Sequence, residues 1–276
     1  MSVQSSDIAA VWRSSPVSSI APQDLVLVSD FDGTLADIVP EPTQATALPD
    51  SLHALRRLVP VLRKVIILSS RTRTELEEHL PIPGAELIGD SGLPPPTPEE
   101  LEALRVFNAQ AAKLLGHTPG AWIEIKPASS AVHFRNAPIS GQKVLDMIRP
   151  LLHQTGLYGG LGRKVIEVHS PHAGKGNALE ALVKRLNAGG IVVMGDDEND
   201  RSMFRVASRA SVPHLCVGVG SAEVPPDLFD HCDLVLDGPA EASGFLRNLS
   251  EWATAGEWAK TSPGRSPGLA GPGPGG

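Results

Sequence analysis

The sequence predicts an α/β fold: a doubly wound parallel sheet that carries a small inserted α+β unit. Three observations lead there. Apolar runs of strand length recur early and late in the chain, each followed by a segment with helical spacing. Those runs end in polar or acidic residues, as buried strands do where a parallel sheet opens onto a ligand. The middle of the chain changes grammar, to a helix followed by adjacent strands, and does so twice.

Taken in order, residues 1–23 carry a short apolar patch with no basic start and no long apolar core. They read as an N-terminal extension and not as a signal peptide. The core opens with "LVLVSD", Leu25 to Asp30, a continuous apolar run suited to a strand buried on both faces. "PDSLHALRRLVPVL" places Leu52, Leu55, Leu58 and Leu62 at helical spacing. "KVIILSSR" is a second buried strand, and "TRTELEEHL" a helix with Thr72 or Thr74 as N-cap. "AELIGDSG" closes this first core segment, 24–93, as a third short strand.

The insertion spans 94–168. A helix over "PEELEALRVFNAQAAKLL" precedes the strands "AWIEIKP" and "SAVHFRN"; a helix over "GQKVLDMIRPLLHQ" precedes "GLYGG" and "RKVIEVHS". The Pro-rich "LPPPTP" and the loop after Glu167 are the expected hinges. The core resumes over 169–260: "GNALEALVKRLN" is helical, "GIVVMGDD" a strand ending in carboxylates, and "DRSMFRVASRA" helical. Two short strands follow, "HLCVGVG" and "DLVLD". The end, 261–276, is rich in Pro and Gly and is expected to be disordered.

Composition excludes several classes. With 24 Lys+Arg against 31 Asp+Glu the formal net charge is −7, and no basic block interleaves with aromatics, so the chain is not built to coat nucleic acid. An acidic protein binds an anion only by gathering cations locally, as a bound metal ion does. Cys216 and Cys232 lack the paired spacing of a zinc site. They read as small buried apolar residues in a reducing compartment, with a single disulfide between them left open. No segment approaches the ~20 apolar residues of a membrane span. A cytoplasmic protein is expected.

The chemistry gathers at the strand ends. Asp30 and Asp32 flank Phe31, and a turn at Gly33 lets both approach one site. Ser69, ending the second strand, offers a hydroxyl, with Ser70 beside it. Lys175, in "HAGKGNAL", opens a helix, where a cation and free backbone N–H groups favour an anion. "GDDEND" supplies Asp196, Asp197 and Asp200. Two carboxylates so close, backed by more, call for a divalent cation, and hard oxygen ligands select Mg²⁺. Such a set suits phosphoryl transfer: one Asp as nucleophile, a second two residues on as general acid and base, with Ser69 and Lys175 on the phosphoryl oxygens. Alone, each piece has a plainer reading as a turn, a cap or a solvated lysine; together, at successive strand ends, they have one explanation.

"DFDGTLADI", "LSSR", "GKGNAL" and "GDDENDRSMF" resemble the four motifs of the haloacid dehalogenase superfamily of phosphatases. The resemblance implies a Rossmann-like core, Asp30 as nucleophile and Asp32 as general acid/base. It implies that Ser69, Ser70 and Lys175 bind phosphate. It also implies Mg²⁺ held by Asp30, Asp196 and the backbone carbonyl of Asp32, with Asp197 and Asp200 in support.

Within the insertion, "EIKPASSAVHFR" is similar to the cap strand pair of trehalose-6-phosphate phosphatases, close to E-D-K followed by S-x-A-V-H-Y-R. Glu124, Lys126, Ser129, His133 and Arg135 match. "VIEVHSPHAGKGNAL" resembles the family's E-x-R-P segment, with Glu167 at its glutamate, and "LIGDSG" resembles its G-E-H-G turn. The chain departs at Ile125, Asp90, Ser91, His169 and Gly174. The resemblance implies a cap in which Glu124, Lys126 and Glu167 bind sugar hydroxyls, and a substrate of trehalose 6-phosphate; Arg71 and Arg135 are further candidates for substrate contact.

Several readings stay open at this stage. Glu124 and Lys126 also suit a solvated cross-strand ion pair, Arg71 a strand cap, and His133 a buried structural role. The substrate alternatives are sucrose phosphate and mannosyl-3-phosphoglycerate; the functional ones are a phosphomutase or an inactive sugar-phosphate-binding module. Whether a trehalose-phosphate synthase associates with the chain is not readable from the sequence.

Overall fold

The computed structural model describes residues 5–39, 41–162, 164–171, 174–221, 224 and 226–255; the Pro/Gly tail expected over 261–276 lies outside them. The chain starts with helix α1 (Ser5–Ser14) and then enters strand β1 (Leu25–Ser29), helix α2 (Pro49–Leu58), strand β2 (Lys64–Leu68), helix α3 (Arg73–His79) and strand β3 (Glu86–Ile88). The insertion follows: α4 (Pro98–Leu115), β4 (Trp122–Ile125), β5 (Ser130–His133), α5 (Gly141–Thr155), β6 (Tyr158–Leu161) and β7 (Val165–His169). The core then resumes with α6 (Lys175–Leu186), β8 (Gly190–Gly195), α7 (Arg201–Ala207), β9 (His214–Gly220), β10 (Leu234–Asp237) and α8 (Gly238–Ala255).

The core sheet is parallel throughout, in the order β10-β9-β8-β1-β2-β3. Alternation along its strands fills two layers. Leu25, Leu27, Val65 and Ile67 pack with Leu55, Leu58, Phe245 and Leu249 from α2 and α8 on one face. Val26, Val28, Ile66 and Leu68 pack with Leu179, Leu182, Met203 and Phe204 from α6 and α7 on the other. Every residue of β1 and β8 is buried, which is why their sequences read as unbroken apolar runs. Strand order reverses between β1 and β8, and the crevice at a switch point of this kind is where such sheets bind ligands.

The insertion is a four-stranded antiparallel sheet, β4-β5-β7-β6, backed by α4 and α5. It owns a separate apolar cluster around Phe107, Ala111, Val132, Val144, Ile148 and Ile166. Capping boxes start α3 at Thr72 and α4 at Thr97, so Thr72 and not Thr74 is the α3 N-cap.

Two expectations need adjustment. The N-terminal extension is part of the core from Ile8 onward: Trp12 packs edge-on against Trp252 at 4.8 Å and Phe245 at 6.2 Å between centroids. The hinge placed directly after Glu167 begins later, because β7 continues to His169, which pairs with Tyr158 of β6.

Because the cap has its own core, Phe107→Ala should cost the cap about 3–5 kcal/mol. Hydrogen exchange is the check: amides of β4–β7 should exchange faster while those of β1 and β8 keep their protection. Equal acceleration in both sheets would mean one shared core.

Candidate active site

β1 delivers the first carboxylate. The ladder runs one residue past the strand, with Asp30 N–H donating to the Met194 carbonyl at 3.0 Å. The chain then turns tightly: Leu35 and Ala36 donate to the Phe31 carbonyl, and Gly33 takes a φ of +78°. A Cβ at Gly33 would overlap the Asp196 carboxylate, so the β1 turn and the loop after β8 meet there.

Lys175, the first residue of α6, donates from Nζ to Asp30 Oδ1 at 2.6 Å and to Asp200 Oδ1 at 2.7 Å. The other Asp200 oxygen accepts from the backbone N–H groups of Asp196 at 2.8 Å and Asp197 at 3.1 Å. Asp30, Lys175, Asp196 and Asp200 are all buried. Burial pushes the Asp30 carboxyl up to about 7; Lys175 pulls it down, and Asp200 and Asp32 push it further up. Burial works against the Lys175 ammonium too, but Asp200 and Asp30 overcome it and hold the group well above its ordinary value.

From this floor a cleft of about 1300 Å³, its open mouth included, runs beneath the cap sheet. Strand alternation turns Trp122, Glu124, His133, Val165 and Glu167 towards it, while Val132 and Ile166 face α4 and α5. Lys126 lies 3.8 Å from Glu167 and also donates to the Ser70 carbonyl at 3.0 Å. Arg135 donates to the Val39 carbonyl at 2.6 Å, a second bond from cap to core. Burial raises the Glu167 carboxyl above its ordinary value, against the pull of Lys126. A hydrogen bond from His133 at 2.8 Å holds the Glu124 carboxyl below its own. A smaller recess under β6, lined by Tyr158, His169 and Asn199, shares Glu167 and Lys175 with the cleft.

The sequence-derived residues thus converge, with particulars of their own. Asp30, Asp32, Ser70, Arg71, Glu124, Lys126, Arg135, Glu167, Lys175, Asp196 and Asp197 all line the cleft. Ser69 is buried, and its hydroxyl accepts from the Arg71 backbone N–H at 3.3 Å. Arg71 is engaged by the core: Nε and Nη2 donate to the two Asp32 oxygens at 2.6 and 2.7 Å, with the guanidinium 5.2 Å from the Phe31 ring centroid. Asp200 holds Lys175 and two amides from below. His133 bonds Glu124 and stacks on Trp122, 4.1 Å between centroids at 14°. Trp122 itself went unremarked in the sequence, although period-two alternation already placed it on the face of Glu124.

A parallel core with a buried carboxylate at the end of a central strand, roofed by an inserted antiparallel sheet, is a fold shared with solved haloacid dehalogenase-like hydrolases. One such hydrolase from Bacteroides thetaiotaomicron superposes with a TM-score of 0.57 at 14% identity over 80% of this chain and 98% of that one. Within that class, the chain belongs to the trehalose-phosphatase family, whose profile matches residues 28–227. It is similar to the C-terminal domain of C. albicans trehalose-6-phosphate phosphatase: TM-score 0.69, 19% identity, 90% of this chain and 97% of that one. It is 31% identical over 240 residues to a trehalose-phosphate phosphatase of Mycobacterium bovis, a match over 80% of this chain and 60% of the relative. The chain spans between 15% and 62% of the length of the curated relatives it matches.

Removing the shared cation should be costly. Without added metal, Lys175→Met is expected to lose about 3–5 kcal/mol in urea unfolding at neutral pH. The sign with pH follows from Asp30: without Lys175 its folded-state pKa rises above the wild-type value of about 7, so the folded variant takes up that proton first on acidification and the deficit narrows as pH falls towards about 7, then levels off. A deficit that widens on acidification would contradict this electrostatic account.

Proposed function

We propose that the chain is a Mg²⁺-dependent phosphoric monoester hydrolase that cleaves trehalose 6-phosphate through an aspartyl-phosphate on Asp30. The observation that carries this reading is the buried Asp30–Lys175–Asp200 cluster at the floor of a cleft roofed by Glu124, Lys126 and Glu167. Membership of the trehalose-phosphatase family supplies the substrate class.

The donor set fits Mg²⁺. Asp30, Asp196 and Asp200 each offer a carboxylate oxygen within 4.8 Å of the others, all three buried, with Lys175 the one cation bonded to the cluster among the described residues. Hard anionic oxygens in excess of positive charge suit this ion. Asp30, Asp196 and the Asp32 carbonyl would hold it, with Asp197 and Asp200 in support; bound there, it supplies the charge that lets an anionic carboxylate approach an anionic phosphate.

The residues of the chain divide the remaining work. Lys175 and Ser70 hold the phosphoryl oxygens while an Asp30 oxygen attacks phosphorus. The P–O bond to the sugar breaks as Asp32 donates a proton to the departing oxygen. A water then loses its proton to Asp32 and attacks phosphorus, which frees inorganic phosphate and restores Asp30. Both Asp32 oxygens accept from Arg71, so that pair must part before Asp32 serves the leaving group. Glu124, Lys126 and Glu167 hold sugar hydroxyls.

Assayed against a panel of sugar phosphates with Mg²⁺, trehalose 6-phosphate should be cleaved fastest, and chelation with EDTA should abolish phosphate release. Glucose 6-phosphate cleaved as fast would remove the disaccharide assignment and leave the phosphatase standing. Asp30→Asn should lower turnover at least about a thousandfold while calorimetry still detects substrate binding; undiminished turnover would take Asp30 out of the mechanism.

A further inference from the structure

Trp122 is 53% exposed, yet it faces a cleft whose other lining side chains are mostly charged. It is the one aromatic residue among the described residues lining that cleft. Its position is not accidental to the strand: β4 pairs with β5 so that Trp122 stands opposite His133, and the two rings stack almost parallel. His133 is fixed in turn by Glu124, so one face of the indole is covered and the ring is held while the remaining surface stays open to the cleft.

The contacts also order the cleft along its length. At one end Lys175 bonds Asp30; beside it Arg71 bonds Asp32; next come Glu124 and Lys126; then His133 and Trp122. Along this chain of contacts, hydrogen-bonding side chains stand between Trp122 and the Asp30 end of the cleft. An open indole at the end of such a row matches the apolar, C–H-bearing face of a pyranose, because an aromatic face packs on C–H groups whereas the hydrated carboxylates and ammonium groups around it offer no apolar surface. A ring already locked by its neighbour loses little freedom on binding.

We propose that Trp122, braced by His133, is a specificity-determining residue that packs against the sugar ring farther from the phosphate and so selects disaccharide over monosaccharide phosphates. The inference rests on the phosphatase reading given above and names which part of the substrate this residue reads.

The test compares kcat/KM for trehalose 6-phosphate and glucose 6-phosphate in the wild type, Trp122→Ala and Trp122→Phe, with Mg²⁺ present. The ratio between the two substrates should fall about tenfold in Trp122→Ala, chiefly through KM, and largely recover in Trp122→Phe. A ratio that stays within about twofold of the wild type overturns the proposal, even if both rates fall together, since a merely structural role lowers both alike. Calorimetric binding of unphosphorylated trehalose separates this from the chemistry. If the wild type releases phosphate from neither ester, the proposed function fails, and Trp122 is then judged by binding alone. Trehalose binding weakened about tenfold in Trp122→Ala supports it, and equal or undetectable binding in both proteins overturns it.

Discussion

One buried ammonium organises this molecule. Lys175 Nζ bonds carboxylates from two other segments, Asp30 at the end of β1 and Asp200 at the start of α7, and itself begins α6. Three pieces of chain far apart in sequence are thereby fixed to one point at the switch of the sheet. The arrangement is expensive, because each charge gives up water, and it is tolerable only with the remaining lone pairs satisfied. Asp200 meets that condition through the Asp196 and Asp197 amides. For Asp30, burial outweighs the pull of Lys175, and its carboxyl is pushed towards neutrality.

The insertion exploits this fixed floor without disturbing it. It leaves the core after β3 and returns directly into α6, so Glu167 in the roof and Lys175 in the floor belong to one continuous segment. The cap brings its own apolar cluster and needs no core residue to fold its sheet. What ties roof to floor is polar and local: Lys126 to the Ser70 carbonyl and Arg135 to the Val39 carbonyl. The buried carboxylate cluster thus belongs to the core, while Glu124, Lys126 and Glu167 reach the same cleft from the cap.

Much of this was legible in the sequence because it follows from local rules. Unbroken apolar runs marked β1, β2 and β8, and acidic or basic residues at their ends marked the floor. Side-chain partnerships were less legible. Arg71 read as a substrate ligand, with a strand cap as the alternative; its grip on Asp32 depends on how two neighbouring strands end and bend, which no single stretch encodes. The sequence favoured Ser69 over Ser70, but the bend after β2 places Ser70 in the cleft lining and leaves Ser69 buried. The packing of α1 was hidden for another reason: its apolar patch is short, and Trp12 has meaning only against Trp252 and Phe245 at the far end of the chain.

A chain of net charge −7 nonetheless gathers cations locally in this cleft. Global charge acts over a Debye length of about 8 Å at physiological salt, whereas the cleft places its cations at contact distance. Lys175, Arg71 and Lys126 line one side of the path from floor to roof, and each is already bonded to an acceptor of the protein: Asp30 and Asp200, Asp32, and the Ser70 carbonyl. None is a bare positive charge waiting for any anion. Under the proposed function, a ligand supplies oxygens where those acceptors now stand, phosphoryl at one end and hydroxyl along the wall. Recognition is then an exchange of partners and not attraction to a bare charge.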